Sequence, residues 1–161
     1  AYASEILPAL HRLGYSSLTG IDLNRGLLKM PYSGAIRYEI GDFLQAPFGD
    51  GSFGAVTAIS VIEHGFDAPR LLAEIARLLR PGGYFIASFD YWPEKIDTAG
   101  MKIFGMDWTI FSRAEILAFL SDAKDHGLEP VGEIALDAGD RVIRWGGKRY
   151  TFGWLALRKA T

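Results

Sequence analysis

GDFLQAPFGDGSFGAVTAISVIEH, residues 41–64, places an acidic turn, a Pro-Phe loop, an apolar strand and a polar strand exit in one continuous order. Within it, residues 55–60 (AVTAIS) are short and mostly apolar, as a central parallel strand covered on both faces should be. The loop before them, residues 45–54, holds a proline, three glycines and an aspartate, so it reads as irregular. After them, Asp67 is placed to cap a helix with Pro69 in its first turn. Leu71, Leu72, Ile75, Leu78 and Leu79 give that helix an apolar face. Pro81-Gly82-Gly83, closing the phrase LLRPGG of residues 78–83, is expected to stop it, and residues 84–89 (YFIASF) read as the next strand.

The pattern extends in both directions. Upstream, Ile6, Leu7, Leu10 and Leu13 fall on one helical stripe, predicting a helix over residues 2–13 that Gly14 closes. Residues 17–23 (SLTGIDL) read as a strand with an acid at its exit, residues 25–29 as a brief helix, and residues 36–40 (IRYEI) as a second strand. Downstream, residues 90–111 are rich in Trp, Tyr, Phe, Met and Gly with weak periodicity, and read as an insertion. Ser112 and Glu115 have capping-box spacing, so a helix is expected from there to about His126, with Gly127 closing it. Residues 131–136 and 151–158 (TFGWLALR) read as two last strands, with a turn signal at Gly146-Gly147 between them. Strands alternating with helices imply a doubly wound α/β fold with a mainly parallel sheet, and the short final link implies an antiparallel closing hairpin.

Composition narrows the field. A chain of 161 residues is expected to form one domain, residues 1–161. Hydrophobic residues at 49% and charged residues at 22% are ordinary for a packed fold. A net charge of −2 gives no electrostatic reason to expect a nucleic-acid partner. The absence of cysteine excludes disulfides, thiolate metal sites and a Cys nucleophile, and fits a cytoplasmic protein. No apolar run reaches the roughly 18 residues that span a bilayer. No His or carboxylate spacing points to a metal.

Open α/β sheets bind ligands beyond the carboxyl ends of their strands, so the strand exits are the places to look. Asp22 ends one strand, where a carboxylate can accept hydrogen bonds from both ribose hydroxyls of a nucleoside. It equally serves as a turn aspartate. Asp42-Phe43 follows the next strand. There a carboxylate can take the exocyclic amine of adenine, the following N–H a ring nitrogen, and apolar side chains the ring faces. An Asx-turn with a core Phe is the alternative. His64 lies four residues beyond Ser60 and is the best-placed base for removing an acceptor proton; a helix-start histidine oriented by Glu63 or by backbone is the alternative. Tyr91 and Trp92 leave the next strand, as an apolar acceptor wall or as core.

Taken in order, Asp22, Asp42-Phe43, the run 49–64 (GDGSFGAVTAISVIEH) and LLRPGG resemble the class I S-adenosylmethionine-dependent methyltransferases over about residues 1–90. The resemblance implies a Rossmann-like sheet, S-adenosylmethionine as cofactor and S-adenosylhomocysteine as product. It assigns Asp22 and Leu23 to the ribose, Asp42 and Phe43 to the adenine, and Ser60 and Val61 to the neighbourhood of the transferred methyl. It implies methyl transfer to a small-molecule acceptor such as a sugar, lipid or other metabolite. Residues 90–111 then become an acceptor-side insertion, with an extra packing element over the sheet edge as the alternative. The family's first strand and glycine-rich loop have no counterpart, and their place falls before Ala1. The expectation is that the chain starts after the true N-terminus. Two other readings share these strand exits: an NAD(P)-binding oxidoreductase-like domain, and a non-catalytic binding module on the same fold.

Overall fold

The computed structural model describes residues 4–65 and 67–161. The chain divides into two compact units, Ala1–Phe48 and Gly49–Thr161.

The first unit opens with helix α1, Ile6–Arg12. The expected start at Tyr2 lies outside the described residues. Gly14 closes the helix with φ +95°, its N–H reaching the His11 carbonyl while Tyr15 N–H reaches that of Leu10. Leu13 was expected on the apolar stripe, but it sits at the C-cap and is 75% exposed. The stripe ends where the helical backbone ends. Strand β1, Thr19–Asp22, pairs in parallel with β2, Arg37–Ile40, in the register Thr19↔Arg37 to Asp22↔Ile40. Between them, Arg25–Lys29 is a single 3₁₀ segment, capped by the Asn24 side chain on Gly26 N–H.

The second unit is built on strand β3, Phe53–Ile59, paired in parallel with β4, Leu79–Tyr91. Helix α2, Ala68–Leu78, connects them, with Asp67 accepting from Arg70 N–H and Pro69 in the first turn as expected. Leu71, Leu72, Ile75 and Leu78 are buried. Arg80-Pro81-Gly82-Gly83 was expected to separate helix from strand and instead lies inside β4. The pairing shifts from Phe53↔Leu79 to Ala55↔Tyr84, so the Pro-Gly-Gly step is absorbed as an irregularity. Gly83 permits this, since a Cβ there would stand 2.9 Å from the Arg80 carbonyl oxygen. The helix already ends at Leu78: Leu79, expected on its apolar face, is extended at φ −75°, ψ 135° and begins β4, and Arg80 before Pro81 is itself disfavoured from the α region.

Residues 90–111 contain a small hairpin, β5 (Lys102–Ile103) with β6 (Met106–Asp107). Its flanks pack as a satellite core of Trp108, Ile110 and Tyr150, with Trp92, Ile96, Met101, Ile103 and Ile143 against it. Helix α3, Arg113–Asp125, carries the expected capping box: Ser112 and Glu115 satisfy each other's backbone N–H.

The C-terminal strands are antiparallel as expected, but differently bounded. Strand β7 is Leu128–Pro130, not 131–136. Gly132, at φ +73°, turns the chain off the sheet after a single further bond from Val131 N–H to the Ala156 carbonyl. Strand β8, Ile143–Trp145, forms a tight hairpin with the start of β9, Lys148–Lys159, through Gly146-Gly147. Both turn glycines have positive φ, 54° and 72°, the geometry of a primed two-residue turn. The sheet order is β3-β4-β9-β7, so the last strand runs between its neighbours rather than at the edge.

Candidate functional site

In the first unit, two carboxylates stand past the carboxyl ends of adjacent parallel strands. Asp22 is the last residue of β1, and its Oδ1 accepts from Asn24 N–H at 2.9 Å. Asp42 follows β2, and its Oδ1 accepts from Leu44 N–H at 2.9 Å, capping the 3₁₀ turn Phe43–Gln45. Each acid is therefore oriented by an Asx-type bond to the chain two residues on. Leu23 is exposed, and Phe43 is half-buried. A carboxylate is an acceptor for diol or amine donors, so the pair suits the ribose and exocyclic amine of a nucleoside.

In the second unit, the exits of β3 and β4 lie side by side. Ser60 leaves β3 at φ +49°, in the left-handed region that a residue with a Cβ seldom adopts. It is held there by Ser88, whose carbonyl oxygen and Oγ accept from Ser60 N–H at 3.1 and 3.0 Å. Such outliers persist where surrounding structure determines them, and they concentrate at ligand sites. Val61 is half-buried, and Ile62 and Glu63 are buried.

The insertion is clipped onto this exit. Gly65 N–H donates to the Asp107 carbonyl and Thr109 N–H to the Glu63 carbonyl, each at 2.9 Å, while His64 and Trp108 form an antiparallel bridge. The half-buried His64 ring meets Phe104 edge-on at 5.8 Å, and its Nδ1 is buried without a hydrogen-bond partner. Burial lowers its pKa below 6.5, so the imidazole is neutral at pH 7.

Beneath it lies a polar cluster that sequence reasoning did not find. The Asp90 carboxylate accepts from Trp108 Nε1–H at 2.7 Å and is hydrogen-bonded by the Tyr150 hydroxyl. Burial raises the Asp90 pKa against those two bonds. Burial and the proximity of Asp90 likewise raise the Tyr150 hydroxyl. Glu63 is 2% exposed, and its Oε2 has no hydrogen-bond partner. Burial first, with a further contribution from Asp90, pushes its carboxyl from 4.5 up to about 8, against a lowering bond from its own backbone N–H. Glu63 is thus a neutral acid at pH 7. Nothing in a linear pattern marks the cluster, because its members lie on four separate segments.

This has a measurable consequence. The unfolded chain releases the Glu63 proton near 4.5, whereas the folded chain keeps it to about 8. Between those values the folded state binds more protons, so stability falls as pH rises. The loss is complete above about 8 and reaches on the order of a few kcal/mol. Glu63→Gln is expected to remove most of this slope and to unfold at higher denaturant than the parent at pH 8.5. Parallel pH–stability curves for parent and variant would show that Glu63 is not the group responsible.

Tyr91 is buried at 2% exposure, and its hydroxyl donates to the Leu136 carbonyl at 2.6 Å. It also lines an open cavity of about 380 Å³ with Asp137, Asp140, Thr151, Phe152 and Trp154. Trp92 is half-buried in the satellite core, its indole N–H without a partner and Arg141 stacked 4.2 Å over its ring. Asp107 is exposed and paired with Lys102, and Trp108 is core. His11 and His126 lie at the C-terminal ends of α1 and α3. No cluster of metal-ligating side chains occurs among the described residues. No helix of the described residues is long and apolar enough to cross a membrane.

Residues 3–87 match the model of the methyltransferase domain family, more than half of the chain. The chain belongs to that family, the class I S-adenosylmethionine-dependent methyltransferases. It is 35% identical over 75 residues to the demethylmenaquinone methyltransferase of Symbiobacterium thermophilum, covering 42% of this chain and 30% of that protein. It is 35% identical over 88 residues to a phthiotriol/phenolphthiotriol dimycocerosates methyltransferase of Mycobacterium ulcerans, covering 52% and 31%. The chain thus spans about a third of the length of these curated relatives. A methyltransferase structure from Methanosarcina mazei shares the fold, with TM-score 0.68 at 16% identity over 95% of this chain and 86% of that one.

Proposed function

We propose that the protein transfers a methyl group from S-adenosylmethionine to a small-molecule acceptor, a sugar, lipid or other metabolite. The observation that carries this reading is the pair of Asx-oriented carboxylates, Asp22 and Asp42, at the exits of adjacent parallel strands. In this assignment Asp22 takes the ribose hydroxyls, with Leu23 beside it. Asp42 takes the adenine amine, with Phe43 covering the ring. Ser60 and Val61 border the reacting methyl. Tyr91 and Trp92 form the acceptor-side wall. The cofactor, when bound, supplies an electrophilic methyl on a sulfonium. His64 then removes the acceptor proton, for which its neutral imidazole is in the required form. The names of the two relatives, for demethylmenaquinone and for phthiotriol dimycocerosates, support a small-molecule acceptor.

Calorimetry of the full-length protein with S-adenosylhomocysteine tests the reading. Binding is expected, and Asp22→Ala should weaken it by about 1–3 kcal/mol through a lost charged hydrogen bond. Affinity for a nicotinamide dinucleotide in its place would favour an oxidoreductase. An Asp22→Ala affinity equal to the parent's would refute the ribose role.

A further inference from the structure

Strand β9 has two edges. One pairs with β4 from Thr151 to Arg158. The other is covered by β8 as far as Tyr150 and by β7 from Leu157 onward, with Val131 N–H reaching the Ala156 carbonyl. Between β8 and β7, residues 151–155 carry no strand on that side. The opening is about 16 Å long at ~3.3 Å per residue. It exists because Gly132 turns the chain off the sheet, and the ladder resumes only at Ile143.

The backbone of this opening faces outward, as the bonds on the far side of β4 show. The Ser88 carbonyl accepts from Ser60 N–H and the Asp90 carbonyl from Phe111 N–H, so both turn away from β9. Their partners in the β4–β9 register are Trp154 and Phe152. Opposed residues of an antiparallel ladder turn toward each other or away together, so Trp154 and Phe152 direct N–H and C=O to the open edge. The Ala156 carbonyl, which meets Val131, points the same way. None of these N–H and C=O groups of Phe152 and Trp154 has a partner among the described residues.

A cavity of about 380 Å³ opens at this edge, within the ~300–1,000 Å³ range of small-ligand sites. Residues 151–154 line it on one side, and Asp137, Asp140 and Val142 line it from the connecting segment. Phe152, Trp154 and Val142 are 51%, 69% and 69% exposed, so apolar surface borders the edge. The charged residues of the lining are Asp137 and Asp140. Asp137 is paired with Arg113, whereas Asp140 forms no ion pair among the described residues. The site thus offers donors and acceptors at strand spacing, apolar flanks and an uncompensated negative charge.

We infer that this gap in the sheet binds a short cationic peptide as an added strand. A peptide backbone matches the open N–H and C=O groups, which a simple amine would leave unpaired. Strands β7 and β8 close both ends, so the peptide is limited to about three residues, enough to pair with Phe152 and Trp154. Asp140 selects a basic side chain. Of the lining residues, the methyl-transfer reading uses only Tyr91, so the two stand or fall separately.

The test is amide NMR of ¹⁵N-labelled full-length protein titrated with acetyl-Ala-Lys-Ala-amide. In the free protein, the Phe152 and Trp154 amides are expected to exchange with solvent faster than those of Gly153 and Leu155, which face β4. The peptide should shift the first two and slow their exchange. N-methylation of the peptide backbone should weaken binding by about two- to tenfold per lost bond. Asp140→Asn should weaken it by up to about fivefold, and acetyl-Ala-Glu-Ala-amide should bind more weakly than the lysine peptide. Asp140 is exposed, so the variant is expected to keep the parent's spectrum away from the cavity. Absence of shifts at Phe152 and Trp154 with millimolar peptide overturns the proposal. An affinity that N-methylation leaves unchanged overturns it too, as does equal binding of the lysine and glutamate peptides. Binding of n-butylamine as tight as that of the peptide would make the cavity an amine site and overturn strand addition.

Discussion

Replacing Trp108 with alanine is expected to lower the stability of the Gly49–Thr161 unit by about 4–5 kcal/mol. Two contributions add. The indole is 2% exposed and anchors the satellite core with Ile110 and Tyr150, so truncation leaves a cavity costing about 3–5 kcal/mol. Its Nε1–H also donates to the buried Asp90 carboxylate at 2.7 Å. Without that donor, the carboxylate keeps only Tyr150 of the two side-chain partners that hold its charge, at a cost of about 1–3 kcal/mol. Partial collapse of Met101 and Trp145 into the space keeps the total below the sum. Trp108→Phe separates the terms: it retains most of the volume and loses the donor, so about 1–3 kcal/mol is expected. Urea unfolding of the full-length protein, followed by circular dichroism, measures both. A Trp108→Ala loss below about 2 kcal/mol would mean that the insertion is only loosely seated on the strand exits.

The contrast between what was legible and what was not follows from the range of the interactions involved. Asp67, Pro69, Ser112 and Glu115 announce their helices because capping is settled within four residues. The β3 strand and the apolar face of α2 are likewise local patterns. The acids at Asp22 and Asp42 could be placed at strand exits for the same reason, and the structure adds that each is oriented by the N–H two residues on. By contrast, the Arg80–Gly83 irregularity depends on its partner β3, and the shortening of β7 depends on the sign of one glycine's φ. The Glu63–Asp90–Trp108–Tyr150 cluster is assembled from four segments. No periodicity reports that Glu63, at a strand exit where a solvated carboxylate reads just as well, is sealed beneath residues 107–109. His64 could be singled out by position. Its neutrality depends on an insertion whose pattern was too weak to read.

That neutrality leads to the largest expected effect on activity. His64→Ala is expected to lower kcat for a hydroxyl acceptor by about 10²–10⁴-fold while leaving S-adenosylhomocysteine affinity unchanged. The imidazole has two properties of a general base. It stands just past the β3 exit, and burial holds its pKa below 6.5. The neighbouring Glu63 does not reverse this, because a carboxyl with a pKa of about 8 carries little charge at pH 7 and so does not favour imidazolium. Protonation removes the base, so kcat should fall on the acid side through a pKa below 6.5 and be level above it. If Glu63 were the base instead, activity would rise through a pKa near 8, and Glu63→Gln would abolish that limb. Comparing the two pH profiles separates the roles. A His64→Ala rate within threefold of the parent, with the acid limb intact, would remove His64 from the chemistry and leave it as the bridge that seats Trp108.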